Sequence, residues 1–170
     1  HAKEILVADV DGDGRDELFA AVEAVSGGRV EVRRFDGAGV RQRGALVATL
    51  PDALCRFLTA GDVEGDGARE LVASTHRSGL WLLRRGNDPR GAWTAESVAR
   101  DSSGFEHAAC LADLDGDRVD ELYVANDGAS RVDRYAWQGG HAVRSVLYTH
   151  PAEEKQITWD IAPAPTTALP

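Results

Sequence analysis

The chain lacks most of the features that mark membrane proteins, disulfide-rich domains and common enzyme classes. No apolar run approaches the ~18 residues that a membrane-spanning helix needs. Its two cysteines, Cys55 and Cys110, stand at non-equivalent places in the repeat described below, so a repeated disulfide framework is not expected. The histidines are scattered and offer no zinc-ligand spacing. The Gly-x-Ser-x-Gly elbow, the phosphate-binding glycine loop and His-Glu-x-x-His are all absent.

Charge sets a further limit on the partners. The formal net charge of −9 argues against nucleic acid. Hydrophobic residues make up 43% of the 170 residues, which is enough for a globular domain with a core. Half of the 28 acidic residues lie in three short loops. The negative charge is therefore largely local, and bound divalent cations would cancel much of it.

One acidic ten-residue loop occurs three times, over residues 9–18, 62–71 and 113–122. Its first aspartate recurs with a period of about 50 residues, which is typical of stacked supersecondary units. Each loop follows a short apolar segment that ends on a small residue, Ala8, Gly61 or Ala112. The small residue indicates a crowded strand, where a larger side chain would clash with a neighbouring strand.

Three more short segments follow each loop, and none carries a long 3.6-residue period. Their lengths and compositions favour strands. The twelve segments are 5–8, 18–22, 30–35 and 46–50, then 57–61, 71–75, 80–84 and 95–99, then 108–112, 122–126, 132–137 and 143–148. Four short antiparallel strands in about 50 residues are the unit of a β-propeller blade. The sequence therefore predicts an all-β fold, a β-propeller of four-stranded antiparallel blades. Three blades are expected at about 3–50, 53–100 and 105–150, within a single propeller unit over 1–170.

The last residues, 151–170, are predicted to form an extra strand and a Pro-rich tail. Residues 155–162 resemble the entry strand at 3–9 but lack its loop, so they are either the first strand of a fourth blade or a strand that pairs with another chain. Three blades are too few for a closed propeller and would leave sheet faces and edges exposed. We therefore expect ring closure by self-association, with two copies forming a six-bladed ring as the simplest solution, or by the missing blades of a larger chain.

The loop itself has the pattern of a metal site. Acids occupy positions 1, 3 and 5, position 7 offers a backbone carbonyl, and position 9 is a glutamate. The candidate ligands are Asp9, Asp11, Asp13, Arg15 and Glu17; then Asp62, Glu64, Asp66, Ala68 and Glu70; then Asp113, Asp115, Asp117, Val119 and Glu121. Five protein oxygens with added water match the coordination of calcium. A helix–loop–helix calcium hand is excluded, because position 12 is apolar in every loop.

The pattern Asp-x-Asp-Gly-Asp-Gly-x-x-Glu-Leu after an apolar strand resembles the FG-GAP/VCBS repeat family, found in integrin α-chain propellers and many bacterial secreted proteins. The resemblance covers residues 3–150. It implies a calcium-stabilised propeller, an extracellular or secreted location, and a role in adhesion, ligand binding or recognition. Three departures stand out: glutamate at position 9 where the family has aspartate, Glu64 at position 3, and Arg118 where the family has glycine. We expect metal occupancy to fall from loop one to loop two to loop three.

The sequence favours a binding module without catalytic activity. A glycosidase uses one pair of acids across a single pocket, whereas these acids recur in every unit. Two alternatives stay open: a carbohydrate-binding lectin and an accessory part of a secreted hydrolase. Trp81 and Trp137 fall in third segments, but Trp93 and Trp159 do not align with them, which weighs against one sugar pocket per blade. His76 is expected at one rim of the propeller.

Overall fold

A computed structural model describes residues 2–25, 27–36, 43–88, 90–101, 108–151 and 160–164. Within them the chain forms twelve strands and one short 3-10 helix, Asp127–Ala129. The strands are β1 (Ala2–Ala8), β2 (Glu17–Val25), β3 (Arg29–Phe35), β4 (Ala45–Leu50), β5 (Cys55–Gly61), β6 (Glu70–Thr75), β7 (Leu80–Arg84), β8 (Thr94–Ala99), β9 (Ala109–Ala112), β10 (Glu121–Asn126), β11 (Arg131–Gln138) and β12 (His141–Thr149). No helix among these residues is long and apolar enough to span a membrane.

The strands form three four-stranded antiparallel sheets, each a meander in chain order. We call them blade one (β1–β4), blade two (β5–β8) and blade three (β9–β12). The first strands pack side by side, β1 against β5 and β5 against β9, so the blades radiate from one edge and do not close into a ring. This confirms the predicted all-β fold of four-stranded blades. The predicted strand at 155–162 lies almost entirely outside the described residues, and the single-unit boundaries over 1–170 stay a prediction.

Two apolar cores hold the blades together, one in each gap. The core between blades one and two includes Phe19 and Val32 from one side and Leu71 and Trp93 from the other. The rings of Phe19 and Trp93 meet edge to face with their centroids 6.0 Å apart. The second core joins blades two and three through Val63, Val72, Leu80, Leu82, Leu111, Leu122 and Tyr135. Every residue of strand β6 in blade two is buried, and the same holds for the equivalent strand β10 of blade three.

The small residue before each loop marks a close approach between blades. A Cβ built on Gly61 would lie 2.8 Å from the Cβ of Leu111 and 2.6 Å from Oδ2 of Asp120, both in blade three. Contacts below 3.0 Å require something to move. The sequence-based inference of a crowded strand is therefore confirmed at this position.

Gly61→Ala should separate blades two and three and lower the free energy of unfolding by about 1–3 kcal/mol, as overpacking does. Gly86→Ala is the matched control, because nothing lies within 4 Å of the added Cβ and no positive φ is involved. It should change stability by less than about 1 kcal/mol. Urea unfolding followed by tryptophan fluorescence measures both, and equal effects would contradict the close-approach explanation.

Candidate metal centre

Each acidic loop joins the first two strands of its blade, and its first aspartate organises the backbone. The two carboxylate oxygens of Asp9 accept N–H bonds from Gly12 at 2.8 Å and Gly14 at 3.0 Å. Asp62 and Asp113 hold their loops in the same way, at 2.6–3.1 Å. The position-5 aspartate accepts the N–H of position 7, which is Arg15, Ala68 or Val119. The carbonyls of these three residues as ligands stay a prediction.

In loop one the carboxylates converge on one point. Asp9, Asp11, Asp13 and Glu17 each place one oxygen within 4.8 Å of the others. Oδ1 of Asp11 is buried without a hydrogen-bond partner. A buried acceptor that lacks a donor costs free energy unless a cation or water completes it. The donors are all oxygen, which hard divalent cations prefer. The residues of loop one therefore fit a metal ion.

The other two loops are less complete. Loop three brings Asp113, Asp115 and Asp117 together, but Glu121 stays outside this group. Loop two forms no such group among the described residues. The Arg84 guanidinium holds the Glu64 carboxylate at 2.9 Å, which commits this side chain to an ion pair. The arrangement of the carboxylates thus favours loop three over loop two, and the order of occupancy inferred from the sequence stays a prediction.

The position-9 glutamates are buried in all three blades. Glu17 accepts the N–H of Val10 at 3.0 Å, and Glu70 accepts the N–H of Val63 at 3.2 Å. Glu121 instead accepts the hydroxyl of Tyr123 at 2.9 Å. In blades one and two this carboxylate therefore fixes the start of the loop, a task that the sequence pattern alone did not reveal.

Arginines from the third strand complete the loops of blades one and three. Arg34 is buried and contacts Asp11 at 2.9 Å and Glu17 at 3.3 Å. Arg134 contacts Asp115 at 2.9 Å and Glu121 at 2.6 Å. Both occupy the same place in their blades, opposite Phe19 and Tyr123 of the second strand. Sequence reasoning missed these arginines, and the only signal was an arginine in each third segment.

Blade two lacks this arginine, because Leu82 stands at the equivalent place opposite Val72. Burial raises the pKa of the Glu70 carboxyl from its ordinary value of 4.5 to about 7. The hydrogen bond from the N–H of Val63 lowers this pKa in part, and the neighbouring acids of the loop raise it further. In blade one the hydrogen bond from Arg34 holds the pKa of Asp11 below its usual range. Burial also raises the pKa of Glu17, the equivalent of Glu70, although Arg34 lies beside it and partly opposes the shift.

A carboxylate also ties neighbouring loops together across the gap between blades. Asp120, at position 8 of loop three, accepts the N–H of Asp62 at 2.8 Å through Oδ2. Its own N–H donates to the carbonyl of Asp62 at 2.7 Å. This pair of bonds connects the start of loop two to the end of loop three. We refer to it as the interblade clamp.

Comparison with known proteins agrees with the loop geometry. The model of the FG-GAP-like repeat matches residues 9–73, which run from the first loop through the second. The chain carries an FG-GAP-like repeat. This confirms the resemblance inferred from the loop pattern. No curated protein matches the chain in sequence.

The three blades also resemble a solved structure. It is a lectin of Agrocybe aegerita, described for its specific recognition of non-reducing terminal N-acetylglucosamine, with a TM-score of 0.53 and 20% identity. The match covers 85% of this chain but only 37% of the lectin chain. At this identity the likeness concerns the fold alone, and it supports an incomplete β-propeller.

The residue at position 6 offers a reciprocal test of loop strain. Arg118 has a φ of +74°, whereas Gly14 and Gly67 hold this conformation without a side chain. Arg118→Gly should stabilise the metal-free protein by about 1 kcal/mol and tighten cation binding by removing a positive charge. Gly67→Arg should cause the opposite changes in loop two. Thermal unfolding in chelator and calcium titration measure the two effects, and an unchanged melting temperature for both variants would contradict the strain.

The raised pKa of Glu70 predicts a pH dependence of the metal-free protein. The folded chain keeps the proton to about pH 7, while the unfolded chain releases it near 4.5, so this group destabilises the fold as pH rises between those values. Glu70→Gln cannot ionise and should gain stability over the wild type across this window, on the order of 1–3 kcal/mol. Unfolding in chelator at several pH values tests this. Parallel stability curves for the two proteins would show that Glu70 does not titrate as described.

Proposed function

We propose that the chain is part of a calcium-stabilised β-propeller that binds a ligand and does not catalyse a reaction. The observation that carries the metal assignment is the convergence of four carboxylates in loop one around the partnerless Oδ1 of Asp11. Calcium suits a site of many oxygens in a loop open to water, whereas magnesium demands a stricter geometry. The acids repeat with the blades, which fits a structural role. A secreted location, where calcium is plentiful, is part of the proposal.

Blades one and three each have one face with no neighbouring blade in the described part of the structure. Apolar residues are exposed on these two free faces at positions that are buried in the cores between blades. Position 2 of the loop is Val10 in blade one and Val63 in blade two, each 1% exposed and packed in the core toward the next blade. The equivalent Leu114 of blade three has no following blade and is 57% exposed. The free face of blade three thus exposes an apolar residue at a position that packs against the next blade elsewhere in the chain.

The opposite end shows the same relation. Leu58 and Leu71 of blade two are buried against blade one. Their equivalents in blade one are Ile5, which is 64% exposed, and Leu18, which is also exposed. The free face of blade one therefore exposes the apolar residues against which the free face of blade three would pack.

The interblade clamp points to the same pairing. Asp16 holds position 8 of loop one, as Asp120 does in loop three, and it is exposed. Asp113 holds position 1 of loop three, as Asp62 does in loop two. A second copy that places its Asp113 backbone beside Asp16 would repeat the clamp. We propose that two copies join in this way, blade three of each against blade one of the other, to close a six-bladed ring.

Light scattering and thermal unfolding test the metal and the ring together. The wild type should form a dimer, and chelation with EGTA should lower its stability by about 2.7 kcal/mol relative to calcium at a hundredfold excess over the dissociation constant. Leu114→Lys should give a monomer that still responds to calcium. Val146→Lys is the control, because this exposed side chain belongs to the outer strand β12 of the same blade.

The two parts of the proposal fail separately. A wild-type monomer would overturn ring closure by self-association and leave closure to further blades of a longer chain. A melting temperature indifferent to EGTA would overturn the metal assignment and make the loops acidic turns held by arginines and backbone amides.

A second candidate is a carbohydrate-binding lectin, which specifies the ligand of the same binding module. The structural likeness to the Agrocybe aegerita lectin supports this candidate through the shared fold, although a fold hosts many functions. The partly exposed ring of Trp81 adds an observation from this chain itself. Glycan-array binding by the calcium-loaded protein tests it, with EGTA-treated protein as the comparison.

A further inference from the structure

A rigid turn at the rim opposite the acidic loops carries a group of residues that the repeat does not require. It connects β6 to β7 in blade two. Pro51, Arg77, Ser78, Trp81 and Arg100 line an open pocket of about 270 Å³ there. This is below the ~300–1,000 Å³ of pockets for drug-sized ligands, so it suits a ligand of about one ring.

Hydrogen bonds hold the backbone of this turn in place. The buried Asp52 accepts N–H bonds from Arg77 at 2.7 Å and Ser78 at 2.6 Å. Although burial opposes its ionisation, these backbone donors hold the pKa of Asp52 below its usual range. A Cβ on Gly79 would meet the carbonyl of Ala99 at 1.9 Å, so the turn lies directly against the end of β8. Arg100 follows that strand and is thereby brought to the same pocket.

The ring of Trp81 is also fixed. Its Nε1 donates to Oγ of Ser78 at 2.9 Å, and this hydroxyl lies 2.8 Å from Oγ1 of the buried Thr75. Thr75 in turn donates to the carbonyl of Gly79 at 2.7 Å. Part of the ring packs against the core between blades one and two, and with its only polar atom engaged the remaining apolar surface lines the pocket. A preorganised aromatic ring costs little entropy when a ligand packs on it.

Two guanidiniums flank this ring. Arg77 and Arg100 are exposed, and neither has an ion-pair partner among the described residues. Side chains of Arg34, Arg84, Arg131, Arg134 and Arg144, in contrast, are all paired with carboxylates. Among the described residues no acidic side chain lines the pocket, in a chain of net charge −9. Arginine forks match carboxylates in geometry as well as in charge.

The group is particular to blade two. The strand position of Trp81 is taken by Arg33 in blade one and by Asp133 in blade three, and each of those pairs with a charge in its own blade. A structural need of the blade would recur with the repeat, as the loop acids do. We propose that this pocket binds a saccharide unit that carries a carboxylate, such as a uronic acid. The sugar ring packs on Trp81 and the carboxylate pairs with Arg77 and Arg100.

This inference rests on the proposed binding function and names the ligand class. The probe is glucuronate, measured by calorimetry and tryptophan fluorescence on the calcium-loaded protein. Glucose lacks the carboxylate and acetate lacks the ring, so each should bind at least about tenfold more weakly. Arg77→Gln and Arg100→Gln should each weaken glucuronate binding about tenfold. Arg43→Gln, at an exposed arginine in the β3–β4 connection, should leave it unchanged.

Four results would overturn the assignment. Equal binding of acetate would reduce the pocket to a simple anion site, and equal binding of glucose would remove the arginines from recognition. No millimolar binding of glucuronate, or an equal loss in Arg43→Gln, would reject the site. The melting response to EGTA is recorded in the same samples. If that response is present while glucuronate fails to bind, the saccharide site is wrong and the calcium-held propeller stands. If glucuronate binds while EGTA leaves the melting temperature unchanged, the saccharide site stands and the calcium assignment is wrong.

Discussion

Each four-stranded sheet of this chain has two apolar faces, and both must be buried against another sheet. Blade two meets this requirement on both sides, through one apolar core shared with each neighbour. Blades one and three meet it on one side only, so Ile5 and Leu114 remain exposed where their equivalents are buried. The stacking also brings blades two and three so near at Gly61 that an added Cβ would meet Leu111. The loops, the clamp and the rim pockets all take their positions from this stacking.

The carboxylates within each acidic loop repel one another, and neighbouring groups must offset this repulsion. Carboxylates about 4 Å apart repel by a few kcal/mol at an effective dielectric near 20. Backbone N–H groups donate hydrogen bonds to the first aspartate of the loop. In blades one and three, Arg34 and Arg134 partly neutralise the carboxylates at positions 3 and 9. These donors leave Oδ1 of Asp11 without a partner, and the proposed cation would bind there. Blade two has a leucine in place of that arginine, and burial raises the pKa of Glu70 to about 7.

Blade two thus differs from its neighbours at both rims. On the loop side it has the least convergent carboxylates, and on the opposite side it has Trp81, Arg77 and Arg100 around one pocket. Repeated residues maintain the blade, whereas residues that occur once are free to meet a ligand. This division is a physical reason to look for the binding function of the chain at the rim opposite the proposed metal.

The sequence by itself determined the all-β blades, their number and the place of each loop, because a 50-residue period and short apolar segments are local patterns. It also identified the acids that could share a metal. Only the tertiary structure decided which of them converge, since Arg34, Arg84 and Arg134 reach the loops from strands that are adjacent in space and distant in sequence. The Asp120 clamp and the Trp81 pocket likewise depend on contacts across blades and turns. Such contacts arise from packing, which no periodicity in the sequence records.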